Sequence, residues 1–183
     1  MIYAKTWIPG TDQQLDDLFE QLRSEFYQEQ SYTLWPNYSK DSFKHCTALT
    51  ISFDNKTPIF CSSILGRTAW HQWPENTYRI MNRYWRVGGE HTFLKKISEG
   101  SGVMVKSQLE WLKTNTDCKL AFISRQTENW QEFIINSFKN DFDIDFKMDN
   151  YSYCTCETPN DDSCWQKIIY IGEPSVLENW KRR

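Results

Sequence analysis

The sequence predicts a mixed α/β domain, a single sheet of parallel and antiparallel strands with helices packed on both faces. Three observations predict it. Strand-like and helix-like segments interleave in the order β-α-β-β-β-α-β-α-β-β. A strand, a glycine-bearing loop, a helix and a second strand form one unit over 77–124. The helical segments each carry one apolar stripe, which needs a sheet to cover it. The 183 residues read as a single domain, 1–183, without repeat, low-complexity tract or linker. That length buries roughly 70% of the surface an unfolded chain exposes.

The elements follow in chain order. Met1-Ile-Tyr-Ala-Lys-Thr-Trp7 lacks the charged-then-apolar order of a signal peptide and reads as a first strand. Thr11-Asp-Gln-Gln14 fits a capping box, with Thr11 accepting from the backbone. Leu15, Leu18, Phe19, Leu22 and Phe26 then recur at helical spacing and predict a helix over 12–28. Residues 29–45, with Trp35, have no clean period and read as an aromatic loop. Cys46 to Phe53 and Ile59 to Gly66 read as strands, and Asp54-Asn55-Lys56 between them is turn chemistry, so the pair is a hairpin.

A second aromatic loop holds Trp70, His71, Trp73 and Glu75 and leads into a strand over 77–87. Gly88-Gly89 and Gly100-Ser101-Gly102 mark the loop after it. A helix is predicted from Val103 to about Lys113, striped by Val105, Leu109 and Leu112. Lys119 to Ser124 is the next strand. Thr127 caps a further predicted helix that would bury Trp130, Phe133, Ile134 and Phe138. Phe146 to Cys156 and Trp165 to Ile171 read as two antiparallel strands around Thr158-Pro-Asn-Asp-Asp162. Lys181-Arg182-Arg183 reads as a solvated tail.

Net charge is −3 and the isoelectric point is near 5.7. This disfavours a general nucleic-acid coat and leaves room for a local basic pocket. No apolar run reaches the roughly 20 residues of a membrane span, so a cytoplasmic protein is expected, as a monomer or homodimer. The six cysteines, at 46, 61, 118, 154, 156 and 164, are expected to be free thiols. Cys154-Thr-Cys156 with Cys164 lacks the paired spacing of a zinc site, so no metal is expected.

The unit at 77–124 bears most on function. A strand that passes through glycines into a helix N-terminus makes an anion seat, because the first-turn N–H groups have no intrahelical acceptor. With the helix starting at Val103, Gly100, Ser101 and Gly102 would form that seat, which points to a phosphate-bearing cofactor.

In element order, and in residues concentrated over 77–140, the chain resembles the GNAT superfamily of N-acetyltransferases. Tyr78-Arg-Ile-Met-Asn-Arg-Tyr-Trp85 followed by Ala121-Phe-Ile-Ser-Arg125 looks like its divergent phage-type members. The resemblance implies a GNAT-like acyl-CoA N-acyltransferase fold with acetyl-CoA, or another acyl-CoA, as cofactor. It implies that Tyr84, Trp85, Arg86 and Val87 lend backbone groups to the pantetheine arm. Gly100, Ser101, Gly102 and Val103 would face the pyrophosphate, and Asn129 would lie near the pantetheine. The neighbouring strand would splay away to admit the acyl group. Two positions depart from the family pattern. Ile97 stands where a Gln or Arg is usual, with Lys95 and Lys96 close enough to supply the charge. Phe138 is the nearest residue to the usual proton-donating tyrosine.

Acyl transfer to an amine needs a base, an oxyanion donor and a proton for the leaving thiolate. Glu90 and His91 at the end of the central strand are the first candidates for the base, with His71 and Glu75 behind them. Asn82 and Arg83 could orient an acceptor carboxylate or phosphate, or pair with neighbouring carboxylates. Trp35, Trp70 and Trp73 would line an acceptor side suited to a small-molecule or nucleotide-like amine, stacked as bases are on aromatics. Two alternatives stand beside this reading: a nucleotide- or nucleobase-modifying relative, and a binding protein that kept the fold without catalysis. His45 beside Cys46 has no defined partner and reads as a strand-edge pair.

Overall fold

The computed structural model describes residues 1–30, 46–66, 75–86, 94–124, 136, 139, 145–152, 166–177 and 181–182. These form eight strands and two long helices. They are β1 (Ile2–Trp7), α1 (Gln13–Gln30), β2 (Ala48–Asp54), β3 (Thr57–Leu65), β4 (Thr77–Arg86), α2 (Leu94–Asn115), β5 (Leu120–Ser124), β6 (Lys147–Ser152), β7 (Gln166–Gly172) and β8 (Lys181–Arg182), with a 3-10 turn at Pro174–Leu177. The strands make one sheet in the order β1-β2-β3-β4-β5-β7-β6-β8. All described pairings are antiparallel except β4 with β5, which is parallel.

The sequence explains the two faces. On β2, Leu49, Ile51 and Phe53 join Trp7 and Cys61 in one core cluster, with Phe19 and Leu22 of α1. Ala48 belongs to the opposite cluster with Met104, Val105 and Leu112 of α2, Phe60, Ile64 and Ile80. This is the period-two alternation of a strand covered on both sides. Beyond β4, Leu120 and Phe122 of β5 pack with Tyr151, Ile168, Tyr170 and Leu177 in a third cluster. Tyr151 and Tyr170 meet there edge to face at 6.3 Å.

The hairpin at 54–56 forms as expected, with Asp54 opposite Thr57 and Asn55 at φ 56° in the left-handed region. The start of α1 differs in its cap. Leu15 N–H donates to Asp12 Oδ1 at 3.1 Å, so Asp12 is the N-cap. Thr11 instead donates its hydroxyl to the Ile8 carbonyl at 2.6 Å. Asp16 fastens the same corner, accepting from Trp7 Nε1 at 2.8 Å and from Gly10 N–H at 2.8 Å.

Two further expectations change, and a third lies mostly outside the described residues. The tail is not merely solvated: Lys181 and Arg182 pair antiparallel with Ser152 and Tyr151, extending the sheet. The helix expected after Thr127 lies mostly outside the described residues, of which Asn136 and Lys139 are helical. The largest difference is at α2, which begins at Leu94 rather than Val103. Gly100, Ser101 and Gly102 are therefore buried helix-interior residues. A Cβ on Gly100 would lie 3.3 Å from Ser52 Oγ and 3.4 Å from Ile59 Cδ1. Small residues there let the helix lie close to β2 and β3, and that packing overrides the weak helix propensity of glycine and serine.

Candidate functional site: the fork between two parallel strands

Parallel pairing of β4 with β5 covers Thr77↔Leu120, Tyr78↔Ala121 and Arg79↔Phe122. Both strands continue, β4 to Arg86 and β5 to Ser124, but no further pair joins them among the described residues. β5 stays with β7, through Ile123↔Ile169 and Ser124↔Ile168. β4 stays with β3, through Ser62↔Tyr84, Cys61↔Trp85 and Phe60↔Arg86. The sheet thus forks at Arg79 and Phe122.

Beyond the fork, one edge of β4 from Ile80 to Arg86 has no strand partner among the described residues. Its backbone N–H and C=O groups need partners from elsewhere. At about 3.3 Å per residue, that edge is roughly 20 Å long. Between Ile64↔Ile80 and Ser62↔Tyr84, β3 advances two residues while β4 advances four. This is a bulge on β4 over 81–83, which interrupts the ladder to β3 beside the fork.

The N-terminus of α2 is at the same end of the sheet. β4 runs towards the fork, residues 87–93 connect it to Leu94, and α2 returns to the paired end before β5 begins. The first-turn N–H groups, residues 94–97, have no intrahelical acceptor and carry the positive end of the helix dipole. Lys95 and Lys96 are the second and third residues of that turn.

The fold therefore brings together Asn82, Arg83, Tyr84, Trp85 and Arg86 on the forked stretch of β4 with Lys95 and Lys96 at the helix start. Gly100, Ser101, Gly102 and Val103 lie further along the helix. Those four sit in the second and third turns of α2, where their N–H groups fall within the helix ladder, so the anion seat expected at 100–102 is not formed there. Glu75 precedes β4 at the paired end, away from the fork, so its position does not suit a base acting there. Trp35, Trp70, His71, Trp73, Val87, Glu90, His91 and Asn129 lie outside the described residues.

The described cysteines hold their protons. Burial pushes the Cys46 thiol up to about 11, against a smaller lowering by Ser63. Burial likewise raises Cys118 to about 11 and Cys61 further still. None presents a thiolate nucleophile at neutral pH.

The fork is the splay that the family resemblance implied, whereas the bulge was not foreseen. Both depend on which strand each segment chooses as neighbour, and single-strand periodicity does not carry that choice.

A sheet that forks between two parallel central strands, with a bulge beside the fork and a helix N-terminus at its mouth, is the fold of the GNAT acyltransferases. Comparison with solved structures agrees. The AHL synthase LasI superposes with a TM-score of 0.60 at 11% identity, covering 100% of this chain and 99% of that one. ElaA of Escherichia coli gives 0.56 at 15% identity, covering 92% and 99%. The aminoglycoside acetyltransferase AAC(6')-Ib, solved with coenzyme A and kanamycin, gives 0.54 at 12% identity, covering 98% of each chain. No family model matches the sequence, and no curated protein matches it. The chain has the GNAT fold, and its structural neighbours include acetyltransferases.

Proposed function

We propose that this protein is a GNAT-fold N-acyltransferase that takes an acyl group from acetyl-CoA, or another acyl-CoA, and gives it to an amine. The observation that carries the reading is the fork: among the described residues, β4 has no strand partner along one edge over 80–86, where β5 has turned away. Acyl-CoA supplies a thioester-activated acyl group. The open edge of β4 suits the amide-bearing pantetheine arm, because alternating N–H and C=O groups can pair with it as with an added strand. Backbone N–H groups of the bulge at 81–83 are the oxyanion donors of this reading. The first turn of α2, with Lys95 and Lys96, supports a pyrophosphate and takes the place of the seat expected at 100–102.

Glu90 and His91, in the connection between β4 and α2, remain our first choices to deprotonate the amine. Asn82 and Arg83, on the forked stretch of β4, together with Trp35, Trp70 and Trp73, form the proposed acceptor side. A small-molecule or nucleotide-like amine fits their chemistry. Kanamycin, the amine-bearing ligand in the AAC(6')-Ib structure, illustrates the first of these.

The test is calorimetric titration with acetyl-CoA and with longer acyl-CoAs, followed by thermal unfolding. Ligand at one hundred times its dissociation constant should stabilise the fold by about 2.7 kcal/mol. Lys95→Ala combined with Lys96→Ala should weaken binding about tenfold and flatten its salt dependence. Failure of every acyl-CoA to bind overturns the reading.

A further inference from the structure

The sheet-facing side of α2 is not wholly apolar. Gln108, fully buried, donates Nε2 to Ser62 Oγ at 3.4 Å. Ser107 Oγ lies 2.9 Å from Thr6 Oγ1, which lies 3.1 Å from Thr50 Oγ1. These strand residues stand in one transverse row, with Thr6 opposite Thr50, Thr50 opposite Ser62 and Ser62 opposite Tyr84. The row ends on β4 at Tyr84, the first paired residue beyond the bulge. Thr50, Ser62 and Gln108 are each 0% exposed, and Gln108 Oε1 has no partner among the described residues.

Buried hydroxyls and an amide at best break even against apolar residues when hydrogen-bonded, and Gln108 Oε1 has no partner among the described residues. Their presence therefore points to a task apolar residues cannot perform. Met104, Val105 and Leu112 hold α2 to the sheet through non-directional contacts, which tolerate sliding along the helix axis. Hydrogen bonds are directional and do not. Fourteen residues separate Gln108 from Leu94, about 21 Å of helix, and a one-residue slip moves the N-terminus about 1.5 Å and turns it about 100°. We infer that Gln108, Ser107 and Thr6, with Ser62 and Thr50, form a positioning row. It sets the axial register of α2 against β4 and so fixes the distance between the first turn of α2 and the open edge of the fork. The inference rests on the acyl-CoA reading above, since that distance matters to a ligand spanning both.

The test pairs two donors: acetyl-CoA, which reaches the helix start, and S-acetyl-N-acetylcysteamine, a thioester without pyrophosphate that can engage only the β4 edge. The variant is Thr6→Val with Gln108→Met, which keeps side-chain volume and removes the hydrogen bonds that join α2 to the row. Its urea midpoint should fall modestly, because the buried Thr50 and Ser62 hydroxyls lose partners, so the difference between the two donors carries the test. Its affinity for acetyl-CoA should fall at least tenfold, while affinity for the truncated thioester stays within twofold of wild type. Equal loss for both donors, or no loss for acetyl-CoA, overturns the row as a positioning device. Should the double variant fail to fold, Thr6→Val alone decides, with a threefold loss confined to acetyl-CoA as the expected result. A wild-type protein that binds no acyl-CoA overturns the underlying reading and this inference with it. Wild-type binding with an unaffected variant overturns the inference alone.

Discussion

Gly172 closes β7 at φ 123°, a backbone conformation that side chains rarely adopt. A Cβ there would stand 2.2 Å from the Lys119 carbonyl oxygen, the acceptor of Glu173 N–H at 3.0 Å. Gly172→Ala must break that bond or shift β5, which forms one arm of the fork. Urea denaturation should show a loss of about 3 kcal/mol, and an unchanged midpoint would contradict this close approach. The thiols make a second residue-scale prediction. Cys46 and Cys118 rise from an ordinary value of 9.0 to about 11 in the folded chain, chiefly through burial. A raised acid favours the folded state only while it keeps its proton. Its stabilisation is therefore full below pH 9 and is lost as pH climbs from 9 towards 11. Stability followed by urea across that window should fall, and Cys118→Ala should make the fall shallower. A flat profile would contradict the burial of these groups. The N-cap is a residue-scale lesson about legibility. Thr11 and Asp12 both suit the role by type, and only the geometry of the β1–α1 corner, where Thr11 turns to the Ile8 carbonyl, settles it on Asp12.

At the scale of elements, periodicity located most of the described structure. The amphipathic stripe of α1, the 46–66 hairpin, β4, β5 and the antiparallel pair β6–β7 all form close to the expected positions. The start of α2 was hidden because Gly100 and Gly102 mimic a loop when read locally. What favours glycine at position 100 of the helix is the close approach of Ser52 and Ile59, two residues more than forty positions away. Amide hydrogen exchange tests the new boundary. Ser101 and Gly102 amides should be protected to the same degree as those of Val105 and Leu112, and free exchange would return the helix start to Val103. Gly102→Asp bears on the same point. At a buried helix position it should lower stability by about 3 kcal/mol or more, whereas at a loop anion seat it would have lowered ligand affinity with little effect on folding. The candidate site was legible only in part. The forked stretch of β4 and the pair Lys95-Lys96 were singled out from sequence, but the fork itself arises from β5 preferring β7 over β4, a choice made between strands.

The whole molecule follows from how its sheet is covered. α1 and α2 take opposite faces of the β1–β4 half. At the forked end an inner strand, β4, lacks a strand partner along one edge among the described residues, and a long helix presents its positive terminus. No helix of the described residues is long and apolar enough to cross a membrane. Identities of 11 to 15% across nearly the whole chain show how little of this arrangement is written in particular side chains. The open edge and the bulge use backbone groups, which tolerate almost any sequence. In the function proposed above, this edge receives an acyl-CoA. The most direct measurement is residue-resolved amide exchange with and without saturating acetyl-CoA. Exchange should slow across Ile80–Arg86 of β4 and in the first turn of α2 from Leu94, with β1–β2 unchanged. Exchange that is unaltered at β4 and at the helix start, with the ligand present in excess, would contradict it.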